Sequence, residues 1–338
     1  MNEPFAKNDI RIALVGGGTG SFTLLSELKN HTKQLAAIVN MVDDGGSTGI
    51  LRDELGTLPP GDVRQCLVAL SASPKIRDLF NYRFEEGTFG GHSFGNILLT
   101  ALEKVTGSFS EAVKTASEIL RVNGMVIPAT LDDVRLKMEW PDKGVVLQNQ
   151  YVVAVNNLEN DPRKAIISHV PMATANPMAI KAIEQADMVV IAPGDMYSSI
   201  GPLLAINGIG EALKNTKAVC FYVCNLVTSA GQTTGFTVSD HAGEIERIAG
   251  APFLDYVLYN KQQPAADVAH RYKEENAFLV KIDKAKLSKA NYKAIAGNFL
   301  GEMAPSKKAS KIPLRRSLIR HDAKAVVKSI IDIYNATD

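Results

Sequence analysis

A three-layer α/β fold, with a mainly parallel sheet covered by helices on both faces, is the architecture this sequence predicts. Three observations carry the prediction. Strand and helix patterns alternate over most of the chain, two consecutive apolar strands each run into a glycine-rich loop, and 46% of the 338 residues are hydrophobic, enough to bury a large core. One domain over 1–338 is expected, carrying a small β-rich insertion at about 125–172.

The elements follow in order. Ile10–Val15 is an apolar, buried-strand run that ends in Gly16-Gly17-Gly18-Thr19-Gly20. Phe22–Lys29 reads as the first crossover helix, with Phe22, Leu25 and Leu28 on one side. Leu35–Val42 repeats the strand and ends in Asp43-Asp44-Gly45-Gly46-Ser47-Thr48-Gly49. Val63–Ser71, Asn96–Val105 and Ser110–Arg121 read as helices, the last with Ser110 as N-cap and Gly124 close behind its end. The rhythm then changes. Val134–Met138, Val145–Leu147 and Tyr151–Val155 alternate like a meander around the turn Pro141–Gly144, a candidate lid or wall of a site. The main rhythm returns with helix Pro177–Gln185, strand Met188–Ala192, helix Ile206–Lys214, strand Lys217–Cys224 and helix Asp240–Ile248. Strand Tyr256–Tyr259, helix Pro264–Glu274 and a last short strand Phe278–Lys281 come next. Lys284–Pro313 is polar and reads as the loosest segment, and Asp322 caps a terminal helix Lys324–Tyr334.

Composition excludes several classes. The net charge of +1 gives no global field toward nucleic acid, so local clusters must carry any anion binding. No apolar run reaches the ~18 residues of a spanning helix, and Met1 to Asp9 is polar, so no membrane insertion and a cytoplasmic location are expected. Of the three cysteines, Cys220 and Cys224 fall on one face of a strand, which reads as core; no second Cys/His pair has metal-ligand spacing.

The glycine loops carry the chemistry. Glycine lets a backbone turn sharply after a strand and bring its amides close to an anion, and a helix N-terminus behind it adds partial positive charge. Two such loops at neighbouring strand ends describe a phosphorylated ligand lying across the rim of a parallel sheet. From Gly16 the sixth position is Ser21, so the dinucleotide fingerprint is incomplete, which disfavours a nicotinamide-dependent oxidoreductase. No Gly-Lys-Ser/Thr follows either loop, which argues against a P-loop enzyme. Asp43 or Asp44 can accept from a ribose hydroxyl or hold Mg²⁺ on phosphate oxygens, or form a solvated acidic turn. Adjacent residues of an extended chain point opposite ways, so one of the two is expected to face the ligand.

Leu58-Pro59-Pro60-Gly61-Asp62-Val63-Arg64 places Asp62 as an N-cap and Arg64 in the first helical turn, beside an anion or simply paired with Asp62. Gly90-Gly91-His92-Ser93-Phe94-Gly95-Asn96 is a third flexible loop opening a helix, where Asn96 caps the helix or contacts ligand. His92 in that loop is an acid–base candidate or an ordinary hydrogen-bonding residue. Pro193-Gly194-Asp195 and Asn225 follow strands and so lie on the ligand-binding rim. Arg315, Arg316, Arg320 and His321 form a basic cluster that is either solvated or an anion site ahead of the capped helix.

Taken in order, Gly-Gly-Gly-Thr-Gly, Asp-Asp-Gly-Gly-Ser, Leu-Pro-Pro-Gly-Asp-Val-Arg and Gly-His-Ser-Phe-Gly-Asn are the first half of a family pattern. Ala-Pro-Gly-Asp-Met-Tyr-Ser-Ser, Cys-Asn-Leu, Ser-Asp-His and Arg-His-Asp complete it, and the similarity runs from Arg11 to Ile330. The chain closely resembles the bacterial gluconeogenesis factors, relatives of 2-phospho-L-lactate transferase. The resemblance implies a Rossmann-like fold and a UDP-sugar-binding regulatory protein, UDP-N-acetylglucosamine being the type of ligand. It also implies a role in cell shape and envelope synthesis on gluconeogenic carbon sources, through protein partners in envelope synthesis and as a homo-oligomer.

On that resemblance Gly17, Gly18, Thr19 and Gly20, with Asp43, Asp44, Gly46 and Ser47, would hold the diphosphate and ribose. Arg64, Asn96, Pro193, Gly194, Asn225 and Arg320 would complete the pocket. No catalytic residue is assigned. The alternative is a transferase passing a phospholactyl-type group from a nucleotide-diphosphate donor with Mg²⁺, the metal then held by Asp44. Asp195 stands where the family usually has Ser, and Thr228-Ser229-Ala230-Gly231-Gln232-Thr233 replaces a usual Thr-Gln-Pro-Gly-Glu-Thr.

Overall fold

A computed structural model describes residues 10–150, 153, 159–301 and 319–337. Its centre is a seven-stranded sheet. In chain order the strands are β1 (Ile12–Gly16), β2 (Leu35–Val39), β3 (Met125–Pro128), β7 (Met188–Ile191), β8 (Val219–Val223), β9 (Tyr256–Asn260) and β10 (Lys293–Gly297). Across the sheet they run β10-β9-β8-β7-β1-β2-β3, and each of these pairings is parallel. Between β3 and β7 the chain makes a three-stranded antiparallel sheet of β4 (Arg135–Trp140), β5 (Val145–Gln148) and β6 (Ile166–Val170), with β4 in the middle.

Alternation along each strand divides the core in two. Ile12 and Leu14 of β1 face one side, Ala13 and Val15 the other. The first side is covered by α1 (Gly18–Leu28), α3 (Gly61–Leu70), α6 (Phe109–Leu120) and the terminal helix Ala323–Thr337. The second is covered by helices Pro177–Glu184, Ile209–Asn215 and Val238–Ala249 and by the small sheet. Leu24, Leu25 and Leu28 of α1 are fully buried, each worth about 1.5–3 kcal/mol on transfer from water. The strands read as continuous apolar runs because both faces are covered.

Several expectations change. The first helix starts at Gly18, four residues before Phe22, because the glycines that open it pack against a neighbouring loop. Ser108, not Ser110, caps α6 by accepting the Glu111 amide, which lets Phe109 turn inward, and Arg121 in the left-handed region (φ 51°) closes that helix instead of Gly124. Met125–Pro128 belongs to the main sheet, so the inserted segment begins after Pro128. Its third strand is Ile166–Val170; of the expected strand Tyr151–Val155, all but the helical Val153 lies outside the described residues. Phe278–Lys281 makes only isolated bridges, Val227 to Leu279 and Thr237 to Lys281. The last strand is Lys293–Gly297, within the stretch read as loose, which also holds the short helix Lys284–Leu287. Half-buried Ala294 and Ile295 supply too little apolar signal among lysines to mark it. Asp322 does cap the terminal helix, accepting from the Ala325 amide at 3.0 Å.

Strand order reverses at β1. The chain leaves β1 toward β2 and β3, then returns to β7 on the other side, opening a crevice at the carboxyl ends of β1 and β7.

Candidate functional site

That crevice is where the glycine loop and the Pro193-Gly194 loop meet. Gly17 is the N-cap of α1, and Gly18, Thr19 and Gly20 form its first turn, whose amides have no partner within the helix. Gly18 needs its left-handed φ of +63°. Gly20 is required for a different reason: a Cβ there would overlap the Pro193 carbonyl oxygen. Opposite, Asn225 clamps the β7 loop with both ends of its amide. Its Oδ1 accepts the Gly194 amide at 3.2 Å, and its Nδ2 donates to the Gly194 carbonyl at 2.8 Å. Asn225 thus shapes the loop that borders the crevice. Exposed Asp195 accepts the hydroxyl of Ser229.

Asp43 and Asp44 point opposite ways, as the alternation requires. Asp43 turns inward, its Oδ1 accepting the Gly45 amide at 3.1 Å, with Thr48 as a second donor. A Cβ on Gly61 would lie 2.6 Å from its Oδ2. Burial, with the charge of Asp44 added, raises its pKa. Asp44 turns toward the inserted sheet, accepting the Gln150 amide at 3.0 Å with the Arg135 guanidinium 3.7 Å away. Of the two, Asp43 is the carboxylate turned toward Gly61 and the charge of Asp62.

Its companion is Asp62. The structure does not use Asp62 as an N-cap, a position taken by Pro60; Asp62 sits in the first turn of α3 and reaches back to accept the Gly18 amide. A Cβ on Gly17 would overlap the Asp62 carboxylate. Burial and the nearby Asp43 charge push its pKa up to about 7, against the Gly18 amide, Arg64 and the Asn40 side chain, which favour the ionised form. Asn40 Oδ1 is buried with no partner. The two carboxylates and the orphaned Asn40 carbonyl oxygen are hard oxygen donors.

A chain of hydrogen bonds runs along the β2 side of the site. Arg64 Nε donates to Asn96 Oδ1 at 2.9 Å, Asn96 Nδ2 donates to Ser47 Oγ at 3.2 Å, and Ser47 Oγ lies 3.0 Å from His92 Nδ1. Arg64 also donates to Asn81 Oδ1 at 2.8 Å. Burial and the neighbouring Arg83 lower its pKa to about 10, so Arg64 is a buried cation whose direct partners are neutral amides. Gly95 is needed here, since a Cβ would come within 2.7 Å of Arg64 Cδ. Ser93, accepting the Asn96 amide, caps α5 (Phe94–Thr106), which leaves the Asn96 side chain free for the chain of contacts. Ser47 lies in the first turn of α2 (Gly46–Leu55), whose first residue Gly46 is exposed with φ +48°.

The segment Ile319–Asp322 brings the far end of the sequence to the same rim. His321 Nε2 sits 3.0 Å from the Cys224 carbonyl at the end of β8, next to Asn225, and burial holds that imidazole neutral with a pKa of about 4. Arg320 Nε is buried without a hydrogen-bond acceptor. Arg315 and Arg316 lie outside the described residues. Cys220 and Cys224 are free and buried in the core, and no group of three or more His, Cys, Asp or Glu side chains that could hold a metal occurs among the described residues. Nor does any helix among them have the length and apolarity to cross a membrane. A groove of about 570 Å³ between Lys214, Lys217, Asp255 and Lys293 lies at the amino ends of the strands, away from this rim.

Of the residues singled out by sequence, the fold gathers the two loops, Asp43, Ser47, Arg64, Asn96 and Asn225 about this crevice, with Arg320 next to the rim-bound His321. Sequence reasoning did not place Asp62 and Asn40 among them. Asp62 was visible only as the residue behind Pro-Pro-Gly, and a long-range bond from a helix's first turn has no periodic signature.

The profile of one family, described as 2-phospho-L-lactate transferase CofD, matches residues 12–300. The gluconeogenesis factor of Bacillus subtilis is 34% identical over 325 residues, covering 96% of this chain and 98% of that protein. A Clostridium acetobutylicum relative is 37% identical over 332 residues, 95% of this chain and 69% of that protein. The crystal structure of a UPF0052-family protein from Bacillus halodurans superposes with a TM-score of 0.84 at 34% identity, covering 95% and 99% of the two chains.

Proposed function

Because this chain belongs to the CofD family, with gluconeogenesis factors as its relatives, we propose that it is a gluconeogenesis factor that binds a UDP-linked sugar at the carboxyl rim of β1, β2, β7 and β8. It regulates cell shape and envelope synthesis during gluconeogenic growth through protein partners. The observation that carries the ligand class is Arg320, whose buried Nε has no acceptor and whose neighbour His321 is tied to the end of β8. A buried, unsatisfied guanidinium nitrogen costs free energy that an anionic ligand recovers. The first-turn amides of α1 and α2 supply further donors for a diphosphate.

The second reading, a transferase acting on a nucleotide-diphosphate donor, is favoured by the Asp43–Asp62 pair. These two would hold Mg²⁺, which when bound neutralises charge on the diphosphate. Arg64 and Arg320 would then stabilise the leaving nucleotide. The discriminating experiment is a calorimetric titration with UDP-N-acetylglucosamine, GDP and NAD⁺, each with and without Mg²⁺. Saturable binding of the UDP-sugar, recovered intact, is expected. Preference for GDP with Mg²⁺ dependence would establish the transferase reading, and binding of NAD⁺ alone would refute both.

A further inference from the structure

The groove at the amino ends of the parallel strands gathers three lysines that are far apart in sequence. Lys214 is in the last turn of helix Ile209–Asn215, Lys217 stands two residues ahead of β8, and Lys293 opens β10. They meet because β8, β9 and β10 are neighbours in the sheet. The lysines that form ion pairs among the described residues are Lys114, Lys137, Lys286 and Lys328, so none of the three in the groove is neutralised there. Asp255, the only carboxylate on the groove wall, is already engaged. Its Oδ2 accepts the Cys220 amide at 2.8 Å, and its own amide donates to the Cys220 carbonyl at 3.0 Å. Three cations against one carboxylate make this a positive patch on a chain whose net charge is only +1.

The groove also has an ordered apolar wall. Phe221, Tyr256 and Lys293 stand side by side across β8, β9 and β10. The Tyr256 ring stacks on Phe221 with centroids 5.1 Å apart, and Lys293 Nζ lies 5.7 Å from the Tyr256 centroid, a cation seated on a ring face. Leu213 and half-buried Phe253 continue the wall. A lysine ammonium is a compact charge suited to phosphate oxygens. The volume of about 570 Å³ is that of a small-molecule site and would leave a bare inorganic ion most of the space unfilled.

We propose that this groove is a second anion site, taking a phosphorylated organic molecule about the size of a sugar phosphate. The phosphate sits among the three ammonium groups and the carbon skeleton lies against Leu213 and Phe253. β8 begins at this groove and leads to Asn225 at the rim, and its five residues span roughly 17 Å. The two sites are therefore separate, and occupancy of the groove does not depend on which ligand the rim takes.

The test is lysine footprinting of the full chain. Amines are acetylated with an N-hydroxysuccinimide ester at constant ionic strength, with rising glucose 6-phosphate or inorganic phosphate, and the modified positions are read by mass spectrometry. Glucose 6-phosphate is expected to protect Lys214, Lys217 and Lys293 saturably, while exposed Lys75 and Lys143 react as before. Lys217→Gln combined with Lys293→Gln should raise the concentration that half-protects Lys214 at least about tenfold. Asp255→Asn keeps an oxygen for the Cys220 amide and removes the charge, so it should lower that concentration. Even protection of all five lysines would overturn the site as general shielding, and so would no protection at all. A half-protection point unmoved in both variants would overturn it too. Inorganic phosphate protecting at the same concentration as glucose 6-phosphate would overturn the organic ligand, since the apolar wall would then recognise nothing. Lys217 and Lys293 are exposed, so the double variant should fold, and Asp255→Asn reads the charge independently of it.

Discussion

Asp62 lies over Gly17 with its carboxylate packed on the glycine Cα, and from there it accepts the amide of Gly18 at the start of α1. The protein's own anion therefore occupies one of the donors that a phosphate would use. Any ligand entering the loop meets a carboxylate whose proton affinity has already been raised by burial and by Asp43.

Gly17→Ala forces its methyl group into Asp62 and should cost about 1–3 kcal/mol of stability, read as a lower urea midpoint. Adding Asp62→Ala to the same chain removes the collision and should recover most of the loss. Strictly additive losses would place the strain elsewhere.

Asp62 titrates near 7 in the fold, above the 3.8 of a free carboxyl. Between these values the folded chain keeps a proton that the unfolded chain has released, so this group's contribution to stability declines as pH rises from about 4 to about 7. The slope is at most about 1.4 kcal/mol per pH unit. Asp62→Asn should flatten that decline in denaturation curves taken at pH 5, 6 and 7, and an unaltered pH profile would count against the raised carboxyl. For the same reason nucleotide binding should tighten as pH falls through 7.

Arg320→Ala should weaken UDP-sugar binding by about 1.5–3 kcal/mol, the range for a charge-assisted hydrogen bond. Because its Nε has no acceptor within the protein, the melting temperature should not fall with the affinity. Calorimetry and a thermal melt on one sample separate the two, and a parallel drop in both would assign Arg320 to the fold instead.

Asp44→Ala removes a contact between the site and the inserted sheet, losing the Gln150 amide and the Arg135 guanidinium. Limited proteolysis should then cut faster between β4 and β6, with the β1–β2 half of the sheet protected. Arg52→Ala, which loses the Asp133 carboxylate and the Val134 carbonyl, should act in the same direction.

How much of this could be read from the sequence depended on range. Five strands of the main sheet (β1, β2, β7, β8 and β9), both glycine loops and the opposed directions of Asp43 and Asp44 follow from local sequence pattern. Asp322 as a cap is local too. What escaped was non-local. Asp62 bonds to an amide 44 positions earlier, judged by sequence an N-cap because Pro-Pro-Gly precedes it. Lys293–Gly297 becomes a strand only because β9 offers an edge to pair with, although its composition is that of a linker. Asn225 was legible as a rim residue, but that its amide is spent on the Gly194 backbone needed the fold.

The contact between Gly20 and the Pro193 carbonyl bears on how variation among relatives should be read. Position 20 admits no side chain whether or not a ligand binds, so a descendant that had lost its ligand would still inherit this glycine. Thr19 beside it is exposed and answers to no such packing demand. Drift at position 19 against a fixed position 20 would mark a lineage that keeps the fold after abandoning the ligand.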